Sequence, residues 1–330
     1  MHSRPIRTVH IVCTDPDEFR KKSAGWDFEH FQLVRGRYQS SMQVLQTENL
    51  QLSLARHSIG TLERGAPPQG ACTITLPDVN HAPLYFCGDR LKKDYCPTML
   101  PGEEFEALCQ GPNRFINIVV NRSLLDRESR TLTGLPFAAL TRQKLLKIPC
   151  LDQQALATQL TLLLRRLTMD ALPGGGAGRL ERQIVKQVLC SIQPPGSGET
   201  CPRLPERRRA AWKAEQVIRK NLRQLPDINQ LSNIVGCAVR TLHLGFKERY
   251  GLTPGRYGRI LALHAARRDL CSLPWGRTIA DVALRWGFHH LGRFSRYYKN
   301  LFDELPRQTV EQGRMCANMV PGSMAPGQNR

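Results

Sequence analysis

No apolar run in this sequence approaches the roughly 20 residues that a bilayer-spanning helix needs; the longest, such as Phe115-Ile-Asn-Ile-Val-Val120, stop far short. The opening Met1-His-Ser-Arg-Pro-Ile-Arg7 leads into no apolar segment of secretory type. No two of the 11 cysteines stand at C-x-x-C spacing, which excludes a zinc ribbon or a thioredoxin-type pair. Without a secretory segment they read as free thiols in a reducing compartment, mostly buried as small hydrophobes. Acidic residues are scarce: 28 Asp and Glu face 47 Lys and Arg, leaving a net charge of +19. These absences predict a cytoplasmic protein, not membrane-bound, with an anionic partner.

Signatures of catalysis are missing too. The sequence contains no nucleophile elbow, phosphate loop or dinucleotide fingerprint. His10, His30, His57 and His81 stand apart from one another, and the adjacent His289 and His290 have no third ligand nearby. No catalytic residue, metal or cofactor is therefore expected, and the protein is not read as an enzyme.

What is present divides into blocks. A length of 330 residues predicts two or three domains. Glycine- and proline-rich stretches at Leu172–Gly178 and Pro194–Pro205 read as connectors. They separate a β-rich domain at 1–150, a helical hairpin at 151–193, a linker at 194–205, a basic block at 206–312 and a disordered tail at 313–330. Residues 206–312 hold 20 Lys and Arg against 9 Asp and Glu, so +11 of the charge sits in that third of the chain.

In the first block Phe31-Gln-Leu-Val, Met42-Gln-Val-Leu-Gln and Leu50-Gln-Leu-Ser-Leu alternate apolar and polar, as half-buried strands do. Gly36, Gly60, Gly65 and Pro67-Pro68 mark turns, further strands are expected at 72–76, 84–86 and 115–120, and a short helix at 15–26. Together they predict a small sandwich or barrel. Leu156, Leu160, Leu163 and Leu167, with Asp152 as a cap, and then Ile184, Val188 and Ile192, form the stripes of the hairpin. That apolar face either packs on the β domain or pairs with another chain.

The basic block repeats itself. Shifted by 52 residues, 242–254 falls on 294–306: Leu242 on Phe294, Phe246-Lys247 on Tyr298-Lys299, Tyr250 on Phe302 and Pro254 on Pro306. Upstream of each copy stands a shorter helix and a tight turn: Asp227–Val235 with Gly236-Cys237, then Ile279–Trp286 with Gly287-Phe288. Ala283 and Ser232 supply the small residue that lets the next helix approach, the glycines accept a left-handed backbone, and Thr278 can cap its helix. Two helix-turn-helix units in the most basic third of the chain point to duplex DNA.

Arg240–Tyr257 followed by Ala265-Ala-Arg-Arg-Asp-Leu270, and Ile279–Phe288 followed by Phe294–Phe302 and Leu305-Pro306, resemble the AraC/XylS family of transcription regulators over roughly residues 210–312. Trp286-Gly-Phe-His-His-Leu-Gly-Arg-Phe294 is similar, more narrowly, to the ethanolamine-operon regulators, with a faint echo in residues 31–60. The chain departs from the pattern at Ala238, where a capping Ser or Thr is usual, at Ala262, and at Asp303 and Leu305.

The resemblance implies an α+β multidomain chain: an N-terminal cupin-like β-barrel or sandwich with a helical hairpin for dimerisation, and a C-terminal all-α domain with two helix-turn-helix units. It places base contacts at Arg240, His243, Leu244, Arg293 and Arg296. Lys247, Ser295 and Lys299 are assigned to phosphates, and Arg207-Arg-Arg209 could add more. It further implies an activator working as a homodimer on double-stranded promoter DNA, with RNA polymerase and a small-molecule effector as partners. The competing reading is a thiol-based or DNA-repair enzyme targeted by the same unit, which would need close cysteine pairs that are absent.

Overall fold

The computed structural model describes residues 6–23, 25–78, 82–141, 144–169, 176–193, 206–274 and 276–318. They form two compact units, one of residues 1–34 and 38–203, the other of 35–37 and 204–330. The expected linker at 194–205 and His81 lie outside the described residues.

The first unit opens with β1 (Arg7–Cys13), α1 (Pro16–Lys22), β2 (Asp27–Gln32), β3 (Ser40–Gln46), β4 (Leu50–His57), β5 (Thr61–Ala66) and β6 (Ala71–Pro77). It continues through β7 (Leu84–Phe86), β8 (Asp89–Arg90), β9 (Tyr95–Met99), β10 (Phe105–Cys109) and β11 (Asn113–Asn121). After α2 (Arg122–Thr133), α3 (Phe137–Leu140) and β12 (Leu145–Lys147) come the long helices α4 (Cys150–Met169) and α5 (Ala177–Ser191). One antiparallel sheet runs β1-β3-β4-β11-β6-β9-β12 and the other β2-β5-β10-β7-β8.

Strand alternation assigns the two faces of the larger sheet. Leu50, Leu52 and Leu54 on β4 and Ile116, Ile118 and Val120 on β11 pack with Leu156, Leu160, Ile184 and Val188 of the helices. Their neighbours Gln51, Ser53, Ala55, Phe115 and Asn117 line the inside of the sandwich instead. The polar positions of these strands therefore look into a cavity between the sheets. The apolar face of the hairpin is buried in this core: Leu160 is 0% exposed and Leu164, rather than Leu163, completes the inner stripe.

Local chemistry explains several element ends. The Asp15 carboxylate accepts from the Asp17 and Glu18 amides and Pro16 opens the helix, which starts α1. The Cys150 amide donates to the Asp94 carboxylate at 2.9 Å, so a residue 56 positions away caps α4 and Asp152 lies within its first turn. Gly65 belongs to β5, not to a turn; it pairs with Phe28, and a Cβ there would overlap the Asp27 carbonyl.

The second unit is helical: α6 (Glu206–Lys220), α7 (Ile228–Val235), α8 (Val239–Tyr250), α9 (Pro254–Cys271), α10 (Ile279–Arg285), α11 (Leu291–Phe302) and α12 (Pro306–Asn318). Residues 313–318, expected in the tail, continue α12, which Pro306 opens and Thr309 and Val310 anchor inside. Helix α9 runs through the centre, buried at Tyr257, Leu261, Ala262, Ala266 and Leu270 among others, and touches α6, α8, α10, α11 and α12. The α6–α8 crossing is close because Gly245 has no side chain; a Cβ there would overlap the Arg207 carbonyl.

Candidate functional site

The repeat seen in the sequence becomes two matched three-helix arrangements. Helices α8 and α11 have equal length, begin 52 residues apart and are followed by helices opening at Pro254 and Pro306. Each inner face is aromatic. Phe246, Tyr250 and Tyr257 stack with centroids 4.7 to 5.7 Å apart in one, and Phe294, Tyr298 and Phe302 at 4.7 and 5.6 Å in the other.

The supporting helices α7 and α10 are firmly started. Asp227 with Gln230, and Thr278 with Asp281, form reciprocal capping boxes. The turns that follow use the expected geometry: Gly236 and Gly287 have φ of +72° and +80°, and the Phe288 amide donates to the Ala283 carbonyl at 2.9 Å. A Cβ at Gly287 would stand 2.6 Å from the Arg223 carbonyl oxygen. Trp286, beside that turn, donates its indole N–H to Asp269 at 2.8 Å while the Arg285 guanidinium contacts the same carboxylate at 3.3 Å. These contacts tie the end of α10 to α9.

Neither α8 nor α11 has a side-chain cap: Ala238 and His290 occupy the two cap positions. At the other end, Gly251 and Asp303 close α8 and α11 in the left-handed region, with φ of +67° and +59°. Aspartate tolerates that conformation better than most residues, which explains how Asp303 can stand where glycine is usual.

The residues assigned to DNA share the outward faces. Arg240, His243, Leu244 and Lys247 on α8, and Arg293, Arg296 and Lys299 on α11, are exposed, and Ser295 is half-buried. Leu244 and Leu291, at 44% and 45% exposure, add apolar surface to the two faces. Arg296 lies over the Tyr297 ring at 5.8 Å, which Arg259 of α9 also covers at 4.4 Å. Arg207 is engaged by Glu248 at 2.8 Å, so this member of the Arg207-Arg-Arg209 run already has an acidic partner. His289 and His290 are exposed in the turn.

A helix-turn-helix domain family matches residues 231–312. The chain is 35% identical over 112 residues to the XylDLEGF operon transcriptional activator 2 of Pseudomonas putida, covering 33% of this chain and 71% of that protein. The chain belongs to the AraC/XylS family. It is also 30% identical over 95 residues to the transcriptional activator RhaS of Yersinia pestis, covering 29% of this chain and 34% of that one. Among further curated relatives the match spans 25% to 40% of their length. An AraC-type regulator from Chromobacterium violaceum is 26% identical over 34% of this chain and 96% of its own, with a TM-score of 0.30. As an AraC/XylS member the chain has the fold read from its sequence: a sheet-rich N-terminal unit and a helical unit carrying two helix-turn-helix motifs.

The N-terminal unit of this family member holds a second site that sequence spacing hid. His30 and His57, read as isolated, meet Glu63 and Tyr38 inside the sandwich. His30 Nδ1 and His57 Nε2 lie 3.1 and 3.4 Å from Glu63 Oε1. Tyr38 Oη lies 3.0 Å from His30 Nε2 and 3.1 Å from His57 Nδ1. Strand register brings them together, because β2 and β5 pair His30 directly with Glu63 across 33 positions of sequence. His57, at the end of β4, and Glu63 flank the Gly60 turn, which was the only local signal.

Phe19 and Phe115 pack on His57 at 4.8 and 5.6 Å, and Phe28 on His30 at 6.1 Å, so the cluster sits in apolar surroundings. Burial lowers the His30 imidazole from its ordinary range although Glu63 opposes this. Burial alone would raise the Glu63 carboxyl, yet the two facing imidazoles hold it down at about 2. Glu63 also borders a cavity of about 230 Å³, walled by Phe19, Trp26, Phe28, Met42, Phe105 and Phe115. His10 lies exposed on β1, away from this cluster.

Proposed function

We propose that this chain is a ligand-responsive transcription activator that reads two successive major-groove segments of promoter DNA with α8 and α11. The reading rests on one observation: two helices of equal length, 52 residues apart, each preceded by a boxed-in supporting helix and a tight turn, each with an aromatic inner face and a basic outer one. Arg240, His243, Leu244, Arg293 and Arg296 address base edges, where an arginine fork suits guanine O6 and N7. Lys247, Ser295 and Lys299 address phosphates, which position the domain without reading sequence.

The rest follows the family's arrangement. A small, largely apolar effector occupies the aromatic cavity of the sandwich, the chain acts as a cytoplasmic homodimer, and it engages RNA polymerase at the promoter. The dimer does not use the inner leucines of α4, since Leu156, Leu160 and Leu164 are committed to the core. The protein works by binding rather than by catalysis.

The test is selection of bound duplexes from a random pool with the full chain, followed by fluorescence anisotropy of the selected duplex over a salt series. The affinity should fall steeply with salt. Lys247→Ala and Lys299→Ala should each reduce the logarithmic salt slope by about 1 while leaving the selected sequence unchanged. Enrichment of no duplex, or binding indifferent to salt, would remove the DNA assignment. An altered consensus in the lysine variants would move those residues from phosphate to base contact.

A further inference from the structure

We propose that His30, His57 and Glu63 form a binding site for a divalent first-row transition metal ion, with Tyr38 holding both imidazoles from behind. The three ligand atoms, His30 Nδ1, His57 Nε2 and Glu63 Oε1, lie within 4.8 Å of one another. They are buried, and none completes a hydrogen bond despite its proximity to the others. Three polar atoms that face one another and satisfy no partner are what a cation-binding site looks like before the cation enters.

Spacing and chemistry agree. In a tetrahedral site with bonds of about 2.0 Å, neighbouring ligand atoms stand about 3.3 Å apart; here the two nitrogen-to-oxygen separations are 3.1 and 3.4 Å. Two imidazole nitrogens and one carboxylate oxygen suit zinc and its first-row neighbours, whereas magnesium and calcium call for oxygen.

The outer contacts fit the same reading. A metal-bound imidazole ordinarily donates its other ring N–H to a fixed acceptor. Both outer nitrogens here face one oxygen, Tyr38 Oη, at 3.0 and 3.1 Å, and a phenol oxygen has two lone pairs to offer. Without a cation, two neutral imidazoles donating to Glu63 would turn two bare nitrogens toward a hydroxyl carrying a single proton. One of them would then be left without a donor.

The ligands come from both layers of the sandwich. His57 belongs to the seven-stranded sheet, His30 and Glu63 to the five-stranded one. An ion held by three protein groups keeps at least one position open, and Glu63 borders the cavity. That position is available to water or to an oxygen or nitrogen donor of a molecule lodged there.

The experiment uses the full chain with its accessible thiols alkylated, because 11 cysteines would otherwise compete for metal. X-ray absorption of the Zn²⁺-loaded protein should show imidazole and oxygen ligands without a sulfur shell. Co²⁺ titration should give one tightly bound ion per chain. His30→Gln, His57→Gln and Glu63→Gln should each weaken binding by at least about 100-fold, and Tyr38→Phe, which removes only the outer support, by about 10- to 100-fold. Circular dichroism checks that each variant is folded, and the absorption spectrum of the wild type decides the matter even if none is. A sulfur shell, a folded wild type that binds no Zn²⁺ or Co²⁺, or folded glutamine variants with wild-type affinity would overturn the site.

Discussion

Replacing Arg293 and Arg296 together by alanine should weaken binding to the selected duplex by between about 30-fold and 10⁴-fold. Each well-placed arginine contributes about 1–3 kcal/mol of discrimination at a base pair, and every 1.4 kcal/mol is a factor of ten. Both side chains are exposed on α11, so truncating them opens no cavity in the core. Binding to unrelated duplex should fall far less, because Lys247 and Lys299, proposed to face phosphates, remain. Anisotropy titrations against the selected and a scrambled duplex at one salt concentration separate the two effects. An equal loss on both would make these arginines phosphate contacts, and no loss on either would take α11 out of the interface.

The second large effect is on stability. Glu215 on α6 is 0% exposed and accepts from Tyr257 of α9 at 3.1 Å, with Arg219 at 3.8 Å and Gln216 donating at 2.9 Å. Glu215→Ala removes the acceptor and leaves a buried phenol and a partly buried guanidinium facing a void. Leaving a buried hydrogen-bonding group without its partner typically costs about 1–3 kcal/mol. Denaturant unfolding followed by tryptophan fluorescence reports it, since three of the four tryptophans lie beyond residue 206. Glu215→Gln keeps an acceptor for Tyr257 and should cost clearly less. An alanine variant with an unchanged midpoint would show that the α6–α9 contact holds without the carboxylate.

The C-terminal unit was legible because its determinants are local. Capping residues, a small residue four positions before the turn, and bulky residues at i, i+4 and i+8 are all written within one motif. The spacing of α8 and α11 could therefore be read before any coordinates. The sandwich was legible only in part, because strands carry no record of their partners. β1, β5, β8, β9, β10 and β12 were not foreseen, nor were α2 and α3. Polar residues such as Ser53 and Asn117 look the same whether they face solvent or an internal cavity. The His30–Glu63 pairing depends on the register of β2 with β5, which no spacing rule contains. Asp94 capping α4 from 56 positions away is hidden for the same reason.

Helix α9 gives the two helix-turn-helix motifs a common genetics. Tyr257 closes the aromatic stack of the first motif, while Arg267 ties Glu304 at 3.1 Å and His264 packs on Phe302 of the second at 5.0 Å. A lesion in α9 disturbs the seating of α8 and α11 at once. If α8 and α11 read DNA as proposed, substitutions on the outer face of either should change which bases are preferred in one half-site and leave the other intact. Specificity in such a protein can thus drift one half-site at a time, whereas its connecting helix is inherited or lost as a whole.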